Sequence, residues 1–386
     1  MPRPLDRNAT YLPGLDGVRT VAVALVICAH LGLPWARGGI LGVGIFFTLS
    51  GFLITSILLG SLERLGSLRL RTFWIRRARR LLPAVVVLLV VVLACTAILD
   101  PAAFAARVRD ALAAVFYLAN WNTIGQAYVA ANTQAVDPLE HLWSLSVEEQ
   151  FYLVWPPVLG LLLFVCRGRV RVVAAVTALL AAGSFALSWT MFAPGVEGAT
   201  RAYEGTDTRA GALLVGALAA MLWLPSLRRG DRRRGRRVAL DVSAVGALSA
   251  IGVLVWRTDQ FSAFLYPWGF LLLSLATVVV LMAAVQDGGM LGAVLGSAPM
   301  RWVGERSYGI YLWQTPVIVF SQGLTDRHGW ALSLANVAVT VALAALSWTL
   351  VEDPTRRLGF RGAFATRAAT RPAPALTAVE RDMVRS

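Results

Sequence analysis

Arg19 and His30 are the first residues whose types and spacing could carry chemistry, because both lie in the first apolar segment of the chain. A neutral histidine can act as a general base on a hydroxyl group, and an arginine can stabilise developing negative charge. Eleven helical residues make about three turns, so the two side chains would share one helix face, about 16 Å apart along the axis. Ionisable residues within a membrane helix are costly and commonly functional. On this segment alone, an interfacial arginine and a histidine bonded to a neighbouring helix explain the pattern equally well.

The densest polar and aromatic stretch is HLWSLSVEEQFY, from His141 to Tyr152. Ser146 followed by Glu149 matches a capping box, and acids such as Glu148 and Glu149 favour a helix N-terminus, so capping explains both acids. Capping does not explain the histidine, glutamine and aromatic residues around them. We interpret the stretch as one wall of a polar cavity. The candidate cavity residues are Ser50, His141, Trp143, Ser146, Gln150, Tyr152, Arg209, Tyr311 and Gln314.

Four arginines, Arg76, Arg77, Arg79 and Arg80, precede the third apolar segment. Clusters of this kind usually fix the orientation of a membrane protein. Planar guanidinium groups also suit phosphate oxygens, so a phosphorylated cytoplasmic donor could dock on the same cluster. The two roles are compatible, and both stay open.

The composition is that of a polytopic membrane protein: 57% of the 386 residues are hydrophobic, 15% are charged, and the mean hydropathy is +0.64. The net charge of +14 comes from arginine alone, since the sequence has no lysine, and this excludes Schiff-base chemistry on lysine. The arginines lie between apolar segments, which indicates membrane orientation and not nucleic-acid binding. The three cysteines lie in apolar runs without metal-ligand spacing, so no metal site is predicted.

Ten apolar segments are long enough to span a bilayer, at about 17–34, 40–60, 81–99, 148–166, 172–192, 209–224, 238–256, 264–286, 307–321 and 330–351. A weakly apolar eleventh, from about 106 to 121, is predicted to be re-entrant or interfacial. Counting it as a span would place two arginine-rich loops outside, against the positive-inside rule. The predicted fold class is an all-α polytopic membrane protein with both termini cytoplasmic. Residues 1–358 form one transmembrane domain, and residues 359–386 form a basic, disordered cytoplasmic tail.

Six motifs, in order, resemble the acyltransferase 3 family of integral-membrane acyltransferases. They are LDGVR at 15–19 with His30, GVGIFFTLSGFLIT at 42–55, RRARRLLP at 76–83, HLWSLSVEEQFY at 141–152, SYGIYLW at 307–313 and EDPTR at 352–356. The resemblance covers residues 11–358. It implies ten or so membrane helices, transfer of an acyl group from acyl-CoA to a hydroxyl, usually on a sugar, and essential roles for Arg19 and His30. It also associates the arginine-rich motif with the donor.

The chain departs from the family pattern at three positions. The family usually has Asp where this chain has Gly44, often has His where it has Gln314, and often has an acid where it has Gly211. These departures remove side chains that could orient His30. The acid expected to pair with His30 is therefore Glu148 or Glu149.

We expect a multi-pass protein of the cell inner (plasma) membrane, with acyl-CoA as co-substrate and no permanently bound cofactor. The expected acceptor is a hydroxyl-bearing glycan or glycosylated small molecule, with a macrolide, another secondary metabolite or a glycolipid favoured. This preference rests on the expected lack of the extracytoplasmic esterase-like domain that envelope modifiers of the family often carry. O-acetylation of cell-envelope polysaccharide is the alternative, and a small-solute transporter is the rival from another class. The lipid bilayer is the remaining expected partner.

Overall fold

The computed structural model describes residues 11–129, 137–228, 234–286, 288–324 and 329–357. Within these ranges the chain forms α-helices and no β-strand, which confirms the all-α fold class. The helices are α1 (Pro13–His30), α2 (Gly42–Leu65), α3 (Leu70–Leu99), α4 (Phe104–Val115), α5 (Ala119–Val129), α6 (Leu142–Val165), α7 (Val170–Met191), α8 (Val196–Glu204), α9 (Thr206–Arg228), α10 (Arg234–Arg257), α11 (Gly269–Ala284), α12 (Met290–Leu295), α13 (Ala298–Leu324) and α14 (Trp330–Ser347). The predicted tail from residue 359 onward lies outside the described residues.

Each of the ten predicted spans coincides with a helix. Six helices are long and apolar enough to cross a membrane by length and composition, namely α1, α2, α3, α7, α10 and α14 with its C-terminal extension. The four helices at the other predicted spans, α6, α9, α11 and α13, do not meet that measure; α11 is apolar but has only 16 residues. The count of ten spans and the cytoplasmic placement of the termini therefore stay predictions.

The predicted eleventh helix is in fact two short helices, α4 and α5. They are separated by a turn in which Tyr117 has a left-handed backbone, with φ of 55°. The buried Asp110 of α4 accepts hydrogen bonds from Arg107 at 2.9 Å, from Asn122 of α5 at 2.9 Å and from Gln126 of α5 at 3.0 Å. The polar contacts join the two helices to each other, so this segment does not form one continuous span.

Helices α2 and α9 approach each other closely, and small residues permit it. A Cβ atom on Gly51 of α2 would collide with the carbonyl oxygen of Leu213, and one on Gly216 of α9 would collide with the carbonyl oxygen of Thr48. Glycines allow two helix backbones to approach in this way. The glycine-rich motif of α2 thus has the tight-packing role that its composition indicates, and it fixes α2 as one wall of the site.

Helix α1 packs against α12 and α13 near its own N-terminal end. The Thr20 hydroxyl donates a hydrogen bond of 2.6 Å to the carbonyl oxygen of Met300 at the start of α13. Gly304 of α13 lies directly against the backbone of Asp16. These contacts hold the second turn of α1, which carries Arg19, beside α13. The last residue of the same helix is His30.

Candidate active site

A cavity of about 90 Å³ lies between α1, α2, α3, α6 and α13. It is the space that five of the six resembling motifs share, because each of those motifs contributes part of the lining. Its polar lining residues are Arg19, Ser50, Arg77, Arg80, Ser144, Glu148, Tyr152, Ser307, Tyr308 and Tyr311. Four predicted catalytic or donor-site residues therefore meet here: Arg19, Arg77, Arg80 and Glu148.

Glu148 of α6 is the carboxylate at the centre of the cavity wall. Its Oε1 accepts a hydrogen bond of 3.0 Å from the Ser50 hydroxyl of α2, and its Oε2 accepts one of 2.9 Å from the Tyr152 hydroxyl. Hydrogen bonds to a charged acceptor contribute about 1.5–3 kcal/mol each. Glu148 is therefore held in one orientation, and Ser50 and Tyr152 line the cavity beside it.

Arg77 of α3 lies between both acids of the SVEEQFY segment. Its Nη2 is 3.9 Å from Glu148 Oε2, its Nε is 3.6 Å from Glu149 Oε1, and its guanidinium lies 3.7 Å from the centroid of the Tyr152 ring. Only 20% of its side chain is exposed. The charge of Arg77 is thus shared by two carboxylates and an aromatic face. Glu149 is outside the described cavity lining, and Arg77 is the cation that faces it.

The other three arginines of the motif separate by helix face. Arg80 lines the cavity, close to the charges of Arg19, Arg77 and Arg356. Arg76 and Arg79 are exposed. Positions 77 and 80 share one helix face, as do positions 76 and 79. The predicted donor-binding set is therefore divided into an inward pair and an outward pair.

Arg19 reaches the cavity from α1 with its charge paired. Its Nη1 is 2.7 Å from Asp16 Oδ1, one turn earlier, and the Tyr11 hydroxyl donates to Asp16 Oδ2 at 2.6 Å. The side chain of Arg19 is 18% exposed. Asp16 therefore fixes the direction of the guanidinium while part of it stays accessible from the cavity.

His30 ends α1, and it is not among the described residues that line the cavity. Its Nδ1 lies 2.8 Å from the carbonyl oxygen of Val26, which can only accept a hydrogen bond. Nδ1 therefore carries the proton in the neutral ring, and Nε2 is left with a free lone pair. This is the tautomer that a general base requires, although the base lies about eleven helical residues, or about 16 Å, from Arg19.

His141 lies next to His30 at this end of the helices and is 4% exposed. Burial, and to a lesser extent the neighbouring His30, lower the pKa of His141 to about 3, so its ring is neutral. Neither ring nitrogen makes a hydrogen bond of normal geometry, and only weak contacts with the carbonyl groups of Leu312 and Pro138 remain. The predicted partner acids Glu148 and Glu149 face Arg77, so His141 is the titratable neighbour that the structure gives His30.

Tyr311 connects this histidine pair to the cavity. Its ring packs edge-on against the His141 ring with the centroids 5.5 Å apart, and its hydroxyl donates to the His141 carbonyl oxygen at 2.9 Å. The same hydroxyl lies 2.5 Å from the Ser144 hydroxyl. Tyr311 and Ser144 both line the cavity. His141 packs behind these two residues and does not line the cavity itself.

Ser146 and Gln150 are cavity candidates that the structure places elsewhere. The Ser146 hydroxyl bonds to the carbonyl oxygen of Leu142 at 3.1 Å and accepts the backbone N–H of Ala119 at 3.2 Å. Gln150 donates to the carbonyl oxygen of Tyr117 at 2.6 Å and accepts from the Thr206 hydroxyl at 2.6 Å. Ser146 therefore joins α6 to α5, and Gln150 joins α6 to α9.

The predicted capping box is wrong. Helix α6 begins at Leu142 and is preceded by His141 without a side-chain cap, so Ser146 lies inside its second turn. The apolar pattern predicted a start near residue 148, because it could not show that the polar residues before it are buried against α5. The extra turns orient Glu148 toward the cavity.

Trp143, Arg209 and Gln314 are buried outside the described cavity lining. Trp143 packs against the rings of Phe47 and Tyr203, with centroid distances of 6.1 and 5.1 Å. Gln314 is 1% exposed, and neither polar atom of its side chain has a hydrogen-bond partner. Arg209 is surrounded by aromatic rings. None of the three borders the space that Arg19 and Glu148 border.

Two serines that sequence reasoning missed line the cavity, and helix periodicity could have identified them. Ser144 precedes Glu148 by four residues, and Ser307 precedes Tyr311 by four, so each shares a helix face with a cavity residue. A third missed residue is Glu352, which is buried at the end of a π-helical turn and accepts a hydrogen bond of 3.2 Å from Ser347. Its position depends on that irregular turn, which the sequence pattern does not indicate.

Comparison with known proteins gives the family. A family model described as an acyltransferase domain matches residues 12–352. The chain belongs to the acyltransferase 3 family. This confirms the resemblance carried by the six motifs, and it identifies an acyltransferase domain. Together with the six apolar helices, it identifies a multi-pass membrane protein.

Three curated relatives cover most of the chain. It is 37% identical over 91% of its length to the O-acetyltransferase OatA of Staphylococcus aureus, and 35% identical over 93% to the peptidoglycan O-acetyltransferase OatA of Listeria monocytogenes. It is also 39% identical over 91% of its length to YrhL of Bacillus subtilis. The chain spans only 56% to 58% of the length of these relatives. No solved structure gives a significant match.

Proposed function

We propose that this chain is a membrane O-acetyltransferase that moves an acetyl group from acyl-CoA to a hydroxyl of a cell-envelope glycan. The observation that carries the proposal is the cavity itself, where Arg19, Arg77, Arg80 and Glu148 meet. The helix that carries Arg19 ends at His30, whose tautomer suits a general base. The cell inner membrane is the proposed location.

The names of the relatives favour an envelope glycan as acceptor. Two of them are named as an O-acetyltransferase and a peptidoglycan O-acetyltransferase. No observation in the described residues favours a macrolide or another secondary metabolite, which the sequence had suggested. The alternative predicted from the sequence, O-acetylation of cell-envelope polysaccharide, therefore becomes the proposal.

The proposed reaction uses His30 as the base. The free Nε2 lone pair takes the proton of the acceptor hydroxyl while the hydroxyl oxygen bonds to the carbonyl carbon of the thioester. The carbon–sulfur bond then breaks, and the thiolate leaves with the proton that His30 returns. Positive charge in the cavity, above all on Arg19, stabilises the negative charge of the donor. The products are the O-acetyl ester and the free thiol of CoA.

The donor would occupy the side of the cavity that carries the arginines. Arg76 and Arg79 on the outward face of α3 suit the phosphates of acyl-CoA, and Arg80 lies where the donor enters the cavity. The slender pantetheine arm then extends along α1 toward His30. Arg77 is less suited to phosphate binding, because Glu148 and Glu149 already face it.

Transfer of radiolabelled acetyl from acetyl-CoA to a peptidoglycan fragment, in detergent or proteoliposomes, tests this function. The wild-type chain should label the acceptor, and His30→Ala should reduce labelling at least about 100-fold, since removal of a catalytic base costs two or more powers of ten. Cys28→Ala, on the same half-buried end of α1, is the matched control and should retain activity. Full activity of His30→Ala would contradict the mechanism, and a transporter would transfer no label at all.

A further inference from the structure

Arg209 at the start of α9 is a buried cation without a counter-ion. It is 2% exposed, and its Nε and Nη2 atoms are sealed from solvent without a hydrogen bond. Among the residues that the structure describes, no carboxylate forms an ion pair with it. Asp207, the nearest acid in the sequence, is instead paired with Arg201 at 2.7 Å.

Aromatic rings surround the guanidinium group. Its central carbon lies 3.9 Å from the ring centroid of Phe270, 5.0 Å from that of Tyr203 and 5.5 Å from that of Phe47. Cation–π contacts stabilise a desolvated cation. They supply no hydrogen-bond acceptor for the N–H groups, and a buried donor without an acceptor is destabilising. The charge is therefore incompletely compensated.

The missing group is defined by what arginine binds best. A guanidinium presents a planar pair of N–H groups that match the two oxygens of a carboxylate or phosphate. The aromatic rings exclude water, which strengthens such a pair. Hence the ligand class is a compact oxyanion with at least two oxygens on one side.

The position of Arg209 relates this anion to the acetylation site. Phe47 contacts Arg209 on one side and lines the cavity on the other. Tyr203 and Trp143 continue the same aromatic wall, since their rings lie 5.1 Å apart. A ligand that reaches both Arg209 and the cavity would place its anionic group on one side of Phe47 and its reacting hydroxyl on the other.

The inference deepens the proposed function and rests on it. We propose that Arg209 binds an anionic group, a carboxylate or a phosphate, on the acceptor. The acceptor is then an acidic glycan or a glycan on a lipid phosphate, and a neutral glycoside is a poor substrate. The donor phosphates stay with the arginines of α3.

Gly44 of α2 gives the site a built-in test. A Cβ atom on Gly44 would lie 3.7 Å from Arg209 Nη2, so a carboxylate one bond further would reach the guanidinium. The only closer atom is Cδ2 of Leu273 at 2.6 Å, the flexible end of a side chain, which must shift. Gly44→Asp therefore supplies an internal anion, and Gly44→Asn supplies the same bulk without the charge.

The experiment compares three acceptors on the purified full chain. They are a glycan fragment with a free carboxylate, its neutral methyl ester, and a neutral glycan on a polyprenyl phosphate. Binding is measured first without donor, as a shift in thermal unfolding, and acetyl transfer second, as kcat/KM. Arg257→Gln is the matched control, because Arg257 is an exposed arginine stacked on Trp256 at 4.3 Å.

We expect the wild type to prefer an anionic acceptor roughly 10- to 100-fold over the ester, as expected for a charged hydrogen-bonded pair. Arg209→Gln and Gly44→Asp should lose that preference, because binding and kcat/KM fall for the anionic acceptor and stay unchanged for the neutral one. Gly44→Asn and Arg257→Gln should keep the preference. A preference for the carboxylate over its ester assigns the anion to the glycan, and one for the polyprenyl phosphate assigns it to the lipid.

Equal loss of charged and neutral acceptors in Arg209→Gln would overturn the proposal, because it indicates a structural role. Equal effects of Gly44→Asp and Gly44→Asn would overturn it too, since bulk alone would then explain both. A wild type without preference for any anion is a third contradiction. Absence of acetyl transfer to every acceptor contradicts the proposed function alone, because the binding comparison needs no donor.

Discussion

Arg77 and Arg209 both lie over an aromatic ring, yet they differ in the carboxylates around them. Arg77 lies 3.7 Å from the Tyr152 ring centroid and faces two carboxylates, whereas Arg209 lies 3.9 Å from the Phe270 ring centroid and pairs with no carboxylate among the described residues. The first arginine completes an internal charge network. The second is a buried charge without a counter-ion among the described residues.

The difference shows that residue type and motif alone do not tell whether an arginine can bind an anionic ligand. Arg77 belongs to the motif associated with the donor, but a phosphate that binds it has to displace Glu148 or Glu149. Arg209 stands alone in the sequence, but its Nε and Nη2 groups have no hydrogen-bond acceptor among the residues that the structure describes. What an arginine can bind depends on the carboxylates that already face it.

Removal of Arg77 should have the largest effect on this comparison. Arg77→Ala leaves Glu148 and Glu149 buried without their cation, and breaking a buried ion pair on one side costs about 3–5 kcal/mol. We expect a markedly lower thermal unfolding temperature in detergent. Combining Arg77→Met with Glu148→Gln and Glu149→Gln should recover most of the loss, because no charge is then left unpaired. An equally unstable triple variant would contradict the ion-pair explanation.

An intermediate effect is expected at Arg107, where two carboxylates meet one arginine outside the predicted spans. Arg107 Nη1 lies 2.9 Å from Asp110 Oδ2 and 2.6 Å from Asp137 Oδ1. Burial raises the pKa of Asp137 to about 6, against the opposing effect of Arg107. The folded protein therefore binds the Asp137 proton more tightly than the unfolded chain, whose aspartate pKa is near 4. This contribution to stability is complete below about pH 4 and is lost as the pH rises through about 6.

Thermal unfolding between pH 4 and pH 8 checks this sign. The unfolding temperature of the wild type should fall across that range, and Asp137→Asn should remove part of the fall while leaving Asp110 to pair with Arg107. If the two proteins have parallel profiles, Asp137 does not titrate in this range and the burial argument fails.

The smallest effect on stability is expected at Arg209. Arg209→Met keeps the apolar volume, removes the cation–π contacts and also removes the desolvated charge, and these changes oppose each other. We expect an unfolding temperature within a few degrees of wild type. A collapse similar to that of Arg77→Ala would show that Arg209 has a hidden partner, and the comparison between the two arginines would no longer hold.

The positions of the helices could be predicted from the sequence, because a helix that spans a bilayer needs a long run of apolar residues. All ten predicted segments are helical, but their ends were less accurate. The start of α6 was placed about six residues late, because a polar segment packed against α5 resembles a loop in the sequence. The break between α4 and α5 was also missed, because the left-handed residue at the turn is Tyr117 and not the glycine or asparagine that usually marks such a turn.

The candidate site was predicted in part. The residues that line one cavity are Arg19, Ser50, Arg77, Arg80, Glu148, Tyr152 and Tyr311. His30 and Glu149 lie outside its described lining, and Ser146 and Gln150 bind the outer helices. Which side of a helix faces the cavity depends on partners far away in sequence, such as Ser50 and Glu148, which are separated by 98 residues.

The sequence by itself therefore determined the class of protein, its family and the set of residues from which the site is built. Hydropathy is a local property, and motifs keep their order along the chain. Only the tertiary structure decided which of those charges are already paired. An ion pair depends on the orientation of two helices. The tertiary structure therefore separates Arg77, which faces two carboxylates, from Arg209, which is buried without a counter-ion among the described residues.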